Sequence, residues 1–381
     1  MLFRVIDKTE LPELLNGFLV AHQVIGPVDK GDHFEFAPVT AADELALDYT
    51  LTTLPPKKYL LPPRETLLSF GTTHAEDIEV VCEVTPRVIF GVHACDINAI
   101  NRLDAVFLGD EFPDPYYRAR REATLVVGIS CTPFAECLCG LWGTGEVHSG
   151  YDLFLFDLGE VYLVSIYSVE GANILEATCH PRPATPAEVL DFEICSKRFH
   201  DSFAALPDTA ELPMLMDVLH KDATWDELGE RCLSCTACSV SCPTCYCFDL
   251  IDLTDPDGCG GRRQRVWDSC NSPGFAVVAG GHNFRDSGRN RVRHRFYHKL
   301  LSFRAKYGDM LCVGCGRCVR SCKADINPRT VIERLYRDRD RWLTEQGSGA
   351  TGAEAAAAPA IKAEAAPATP PASVAEQGSG A

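Results

Sequence analysis

CLSCTACSVSCP, residues 232–243, is the stretch that decides the reading of this chain: Cys232, Cys235, Cys238 and Cys242 follow the spacing C-x2-C-x2-C-x3-C, closed by Pro243. CVGCGRCVRSC repeats those intervals with Cys312, Cys315, Cys318 and Cys322. Three cysteines on one tight loop reach three corners of a [4Fe-4S] cubane, and with this spacing the fourth ligates the other cluster. The spacing therefore assigns Cys232, Cys235, Cys238 and Cys322 to one cluster, and Cys312, Cys315, Cys318 and Cys242 to a second. Small residues in the loops (Ser234, Thr236, Ala237, Gly314, Gly316) let the backbone come close and aim N–H groups at the sulfurs. Zinc competes for any C-x2-C pair, but its four ligands come in two pairs and leave two matching runs of four unexplained. The runs part at the next position, Pro243 against Lys323. A cation there favours the reduced state of a neighbouring cluster, whereas a lysine turned to solvent does not.

Nineteen cysteines in 381 residues need an occupation. Disulfides require an oxidising compartment, and MLFRVIDKTELPELLNGFLV at the start lacks the basic, apolar and small-residue order of a secretory signal. No run reaches the roughly 18 apolar residues of a membrane span. The expectation is a cytoplasmic protein whose clustered cysteines hold metal. A formal charge of −17 opposes contact with a phosphate backbone, so no nucleic-acid partner is expected. One stretch runs against that charge, with Arg285, Arg289, Arg291, Arg293, His294, Arg295, His298 and Lys299 close together. It reads either as a solvated helix face or as a basic patch that meets an acidic partner or offsets the clusters' negative charge.

Upstream, residues 87–94 (RVIFGVHA) and 124–130 (TLVVGIS) have the β-branched apolar character of buried strands. Ile97, Ile100, Leu103 and Phe107 recur between them at helical spacing, giving strand, helix, strand and a parallel pair. Residues 151–156 and 161–167 flank Leu-Gly-Glu and read as a hairpin. A Pro-rich stretch follows at 181–186, then a helix or linker at 215–229. Cys95 and Cys131 directly follow the two strands, where open α/β sheets place their sites. With Cys137 and Cys139 they make a possible third cluster, with Asp96 as a spare oxygen donor; buried free thiols are the alternative. Cys245, Cys247 and Cys270 lack a clear fourth member and read as packing or supporting thiols. Cys82, Cys179, Cys195 and Cys259 stand alone.

The fold class expected is α+β. A mixed α/β domain occupies 1–220, and a ferredoxin-like 2[4Fe-4S] domain occupies 225–335 with a long insertion at 246–308. The Ala/Pro-rich stretch 347–381, in which EQGSGA occurs twice, is expected to be a disordered tail. No G-x-G-x-x-G or G-x-x-x-x-G-K-[ST] stands between a strand and a helix, so no flavin, nicotinamide or triphosphate site is evident. No catalytic residues emerge.

Specific motifs carry a resemblance: KKYLLPPRE at 57–65, GVHACDINAI at 91–100, DPYYRARRE at 114–122, the C-x-C of CLCG, CPTCYCFD, WDSC, AGGHNFR at 279–285 and LCVGCGRCVRSCKADINP at 311–328. Over roughly 57–335 the chain resembles the iron-sulfur beta subunit of cytosolic nickel-iron hydrogenases (sulfhydrogenases) and the related A subunit of anaerobic sulfite reductase. The resemblance implies a non-catalytic subunit that relays electrons between a flavin- or nicotinamide-binding subunit and a catalytic subunit. A sulfite-reductase or heterodisulfide-reductase-like complex is the alternative it leaves open. A free-standing ferredoxin with a regulatory N-terminal domain is the alternative of another class.

Overall fold

The structure, a computed structural model, describes residues 2–71, 77–109, 111–203 and 209–348. The tail expected at 347–381 lies outside the described residues from 349 onward, and residues 347–348 belong to the last helix. Met1–Arg339 forms one compact unit and Asp340–Ala381 a second. The expected division near 220–225 falls inside the first.

In chain order the strands are β1 (Leu2–Asp7), β2 (Gln23–Asp29), β3 (Phe34–Pro38), β4 (Arg64–Gly71), β5 (Ile78–Val80), β6 (Arg87–His93), β7 (Thr124–Ile129), β8 (Leu153–Asp157), β9 (Val161–Ile166), β10 (Phe248–Thr254) and β11 (Gly260–Trp267). The helices of the first half are α1 (Leu11–Leu19), α2 (Ala94–Phe107), α3 (Pro115–Glu122), α4 (Val169–Thr178) and α5 (Pro186–Asp201). Those of the second are α6 (Leu212–Val218), α7 (Thr224–Arg231), α8 (Ala237–Val240), α9 (Gly288–Tyr297), α10 (Phe303–Tyr307), α11 (Arg317–Ser321) and α12 (Pro328–Ser348).

Seven strands form one sheet in the order β1-β9-β8-β7-β6-β2-β3, with β2, β6, β7 and β8 parallel. The strand, helix, strand unit read from the sequence is β6-α2-β7, and the hairpin is β8-β9. Strand β6 is apolar from Val88 to Val92 because both of its faces are covered there. Val88 and Phe90 enter one core with Leu14 and Phe18 of α1, while Ile89 and Val92 enter another with Ile97 of α2. The alternation slips between Phe90 and Val92, where Gly91 (φ 71) makes a bulge. The stretch at 215–229 becomes α6 and α7, which bury Leu215 and Trp225 against Phe296 of α9 and Ile332 of α12.

Two features were not foreseen. Helix α5 starts on the last proline of the Pro-rich stretch, Pro186, capped by Thr185 and Glu188 in a reciprocal capping box. The expected insertion is also joined to the first half of the chain, since β10 and β11 form a second, antiparallel sheet with β4 and β5 in the order β10-β11-β4-β5. Arg265 of β11 locks that junction, pairing with Glu65 of β4 and with Asp114, the cap of α3. Glu65 also pairs with buried Arg120. Charges from KKYLLPPRE and DPYYRARRE thus do structural work in a shared ion network. No described helix is long and apolar enough to cross a membrane.

Candidate metal centres

The two cysteine loops trace one backbone. Ser234 (φ 50) and Thr236 (φ 63) hold the left-handed conformation in the first, as Gly314 (φ 64) and Gly316 (φ 79) do in the second. Each loop then enters a short helix, α8 or α11. Glycine adopts this conformation freely, whereas a side-chain residue costs about 1–2 kcal/mol. The sulfurs receive polar hydrogens: Ile326 N–H donates to Cys322 Sγ at 3.3 Å, and Asn271 Nδ2 donates to Cys238 Sγ at 3.4 Å.

The thiols gather across the two runs. Burial pushes the Cys232 thiol up, and Cys238, Cys322 and Cys235 add to the rise as its charged neighbours. Cys242 instead lines a small cavity of ≈ 30 Å³ with Cys312, Cys315 and Cys318. Burial raises the thiols of those three to about 12. Only a bound cation or metal would favour thiolates there.

Helix α9 supplies the cations. Arg291, Arg295 and Lys299 recur every fourth residue, share a helix face and are all buried. Lys299 sits in a π-turn, His298–Ser302, between α9 and α10; such turns recur at functional sites. Its Nζ donates to Thr244 Oγ1 at 2.8 Å, and Arg295 Nη2 donates to the Cys238 carbonyl at 3.0 Å. Burial alone would lower the pKa of both, yet neighbouring thiols outweigh it and hold both above their ordinary values. Cys242 and Cys245 act on Lys299; Cys238 and Cys318 act on Arg295. Among the described residues neither cation pairs with a carboxylate, and Arg291 Nε and Arg295 Nε are buried without an acceptor. A buried cation without an anion is costly. Four thiols around one cavity beneath unmatched cations fit an anionic, thiolate-ligated iron-sulfur group. Among the described residues no three His, Cys, Asp or Glu side chains converge as ligands of a single metal ion.

The first-half cysteines lie against the second loop. Cys95, in the first turn of α2, joins Cys137, Cys139, Val313 and Cys315 in one buried cluster. Cys137 Sγ and Cys139 Sγ are 3.5 Å apart. The hydrogen bond from Cys139 draws the Cys137 thiol down to about 7, and Cys139 keeps the shared proton. Cys131 is a charged neighbour of Cys137, and Cys95 and Cys131 are both neighbours of Cys139. The backbone closes the contact: Leu138 N–H donates to the Gly314 carbonyl at 2.7 Å, and Thr144 Oγ1 to the Val313 carbonyl at 2.8 Å.

Asp96 is engaged elsewhere, which corrects its reading as a spare ligand. Both its oxygens accept from Arg317 of the second loop, at 2.6 and 2.7 Å, in a wholly buried pair. Arg317 also donates to Thr52, from Nε to the carbonyl and from Nη2 to Oγ1, each at 2.9 Å. Lys323 is exposed in a turn, whereas Arg295 of α9, Lys299 after it, Lys57 and Arg317 are the buried cations near the thiols. Of the surplus cysteines, the free thiol of Cys245 is hydrogen-bonded to Cys242 and that of Cys247 to Cys270. Buried Lys57 donates to the Cys245 carbonyl at 2.6 Å, and burial holds its pKa down at about 8. Cys179 lies in the core of the large sheet, while Cys82, Cys195 and Cys259 are exposed.

Comparison with known proteins agrees with this geometry. A family model described as 4Fe-4S dicluster domain matches residues 231–326, which span both loops and α9. Sulfhydrogenase 2 subunit beta of Pyrococcus furiosus is 35% identical over 325 residues, covering 85% of this chain and 95% of that protein. No solved structure matches.

Proposed function

We propose a function from the premise that this chain belongs to the sulfhydrogenase beta-subunit family, as an iron-sulfur electron-transfer subunit: it relays electrons between a flavin- or nicotinamide-binding subunit and the catalytic subunit of a cytoplasmic hydrogenase-type complex. One observation carries the reading. The crossed thiols, Cys242 with Cys312, Cys315 and Cys318, line a cavity beneath two buried cations that no carboxylate among the described residues neutralises. Each [4Fe-4S] group, when bound, takes up and returns one electron.

The residues of this chain set the route. Cys232, Cys235, Cys238 and Cys322 hold the outer group, where Cys235 is exposed and Leu233 is 66% exposed, a surface suited to a partner subunit. Cys242, Cys312, Cys315 and Cys318 hold the inner one, and Arg295 stands between the two sets, facing Cys238 and Cys318. Cys95, Cys131, Cys137 and Cys139 hold a third, reached through the contact of Cys95 and Cys139 with Val313 and Cys315. On this reading 1–220 contributes one group and 225–335 two.

Anaerobic purification of the full chain with iron and sulfide counting tests the assignment. About twelve iron per chain is expected, falling to about eight in Cys131→Ser, because each cubane holds four. A count of eight that Cys131→Ser leaves unchanged removes the third group. Bound zinc without charge-transfer absorption removes all three. Migration of the native protein as a lone monomer on gel filtration counts against the partner subunits.

A further inference from the structure

Cys131 has a second environment. Beyond the thiol cluster it lines a cavity of ≈ 800 Å³ at the carboxyl ends of β7 and β8, beneath α5. That volume and that end of a parallel sheet are where small-molecule sites form. Nothing in the relay described above uses it.

The walls are aromatic: Tyr49, Tyr151, Phe154, Phe156, Phe192 and Phe199. Phe192 of α5 stands edge-on to Phe156, with ring centroids 4.7 Å apart. Helix α5 has 16 residues, none of them buried. A helix held over a sheet with its inward phenylalanines unburied leaves apolar surface for an occupant to cover. The charges select among occupants. The acids are largely matched, Asp157 by Lys8 and Glu146 by His200, with Asp48 and Arg198 beside them, so the lining has no concentrated positive charge for a phosphate and suits a neutral ligand.

We propose that this cavity seats a planar, conjugated, uncharged two-electron redox ring, of quinone or flavin-ring type, in electron-transfer contact with Cys131. The proposal rests on the third-group reading of Cys95, Cys131, Cys137 and Cys139. The reduced ring gives up two electrons and two protons. The electrons leave singly, each reducing one oxidised [4Fe-4S] group of the chain, the first at Cys131. The protons pass to water at the open side of the cavity, where Glu146 and Asp157, paired with His200 and Lys8, are 48% and 44% exposed at the side chain.

The test is equilibrium dialysis of the anaerobically loaded full chain against riboflavin, menadione and NADH, with EPR of the same samples. Saturable retention of riboflavin or menadione at one per chain is expected, with NADH excluded, and which ring is retained separates the two sources. Phe192→Glu should weaken retention at least tenfold with the EPR signals unchanged. Cys131→Ser should retain the ring but lose its oxidation by the chain. No saturable retention of either ring by a chain that shows the third signal overturns the proposal and spares the relay. Retention unaffected by Phe192→Glu places the ring elsewhere and overturns it too. Retention by a chain without the third signal upholds the cavity as a ring site and fells the third group.

Discussion

Ser234 and Thr236 in the first cysteine loop occupy the backbone that Gly314 and Gly316 occupy in the second, yet the two loops meet opposite surroundings. The first loop faces outward. The second is pressed under residues 136–139, so closely that a Cβ on Gly314 would stand 2.5 Å from the Leu138 carbonyl carbon and 2.6 Å from the Cys139 nitrogen. Where the first loop carries Ala237, the second carries Arg317, bound to Asp96 and Thr52. One ligand geometry therefore tolerates two solutions. In the open, side chains absorb the strain of left-handed backbone; under cover, only glycine fits and an arginine anchors the loop.

The anchor offers the sharpest way to break this comparison. Asp96→Asn leaves Arg317 buried without its anion, and a loss of about 3–5 kcal/mol is expected in a denaturant melt. Wild-type stability would mean that water reaches the pair. Making the loops alike is the next step down. Gly314→Ser forces a side chain into backbone at positive φ and should cost about 3 kcal/mol, whereas Ser234→Gly should shift stability by no more than about 1 kcal/mol. Equal effects at the two positions would erase the contrast between covered and open loops. Electrostatics supplies the third. Lys299→Met removes a buried positive charge that favours an added electron, so the midpoint of the neighbouring group should fall by on the order of 100 mV in an EPR-monitored redox titration. The smallest effect is expected at the outer surface: Lys323→Pro should leave every midpoint within error, because that side chain is already in water.

The cysteine spacing was legible because ligand intervals on a tight loop are local, and so were β6, α2 and β7, whose apolar periods leave little choice. Other features were written in the sequence but ambiguous. Arg291, Arg295 and Lys299 recur at four-residue spacing, which puts them on one face without saying whether that face meets water or thiols. Thr185, Pro186 and Glu188 spell a helix start that the neighbouring prolines obscured. Pairings between distant segments were not legible. Asp96 looked like a ligand because its partner, Arg317, arrives 221 positions later, and nothing local in β4 announces that β11 will lie beside it. Cavities are harder still, since the one beneath α5 depends on how far a helix stands from a sheet.

The proposed crossing of the fourth cysteines also bears on how the protein would be made. A ribosome delivers Cys232, Cys235, Cys238 and Cys242 long before Cys312, at about 5–20 residues each second. A nascent chain in that interval presents four bare thiols and no complete set. On that assignment the set of Cys242, Cys312, Cys315 and Cys318 is complete only once translation has passed Cys318, and the other only at Cys322, so both become possible within four residues of each other. A chain truncated anywhere between the runs then carries neither of the two crossed centres instead of one of them.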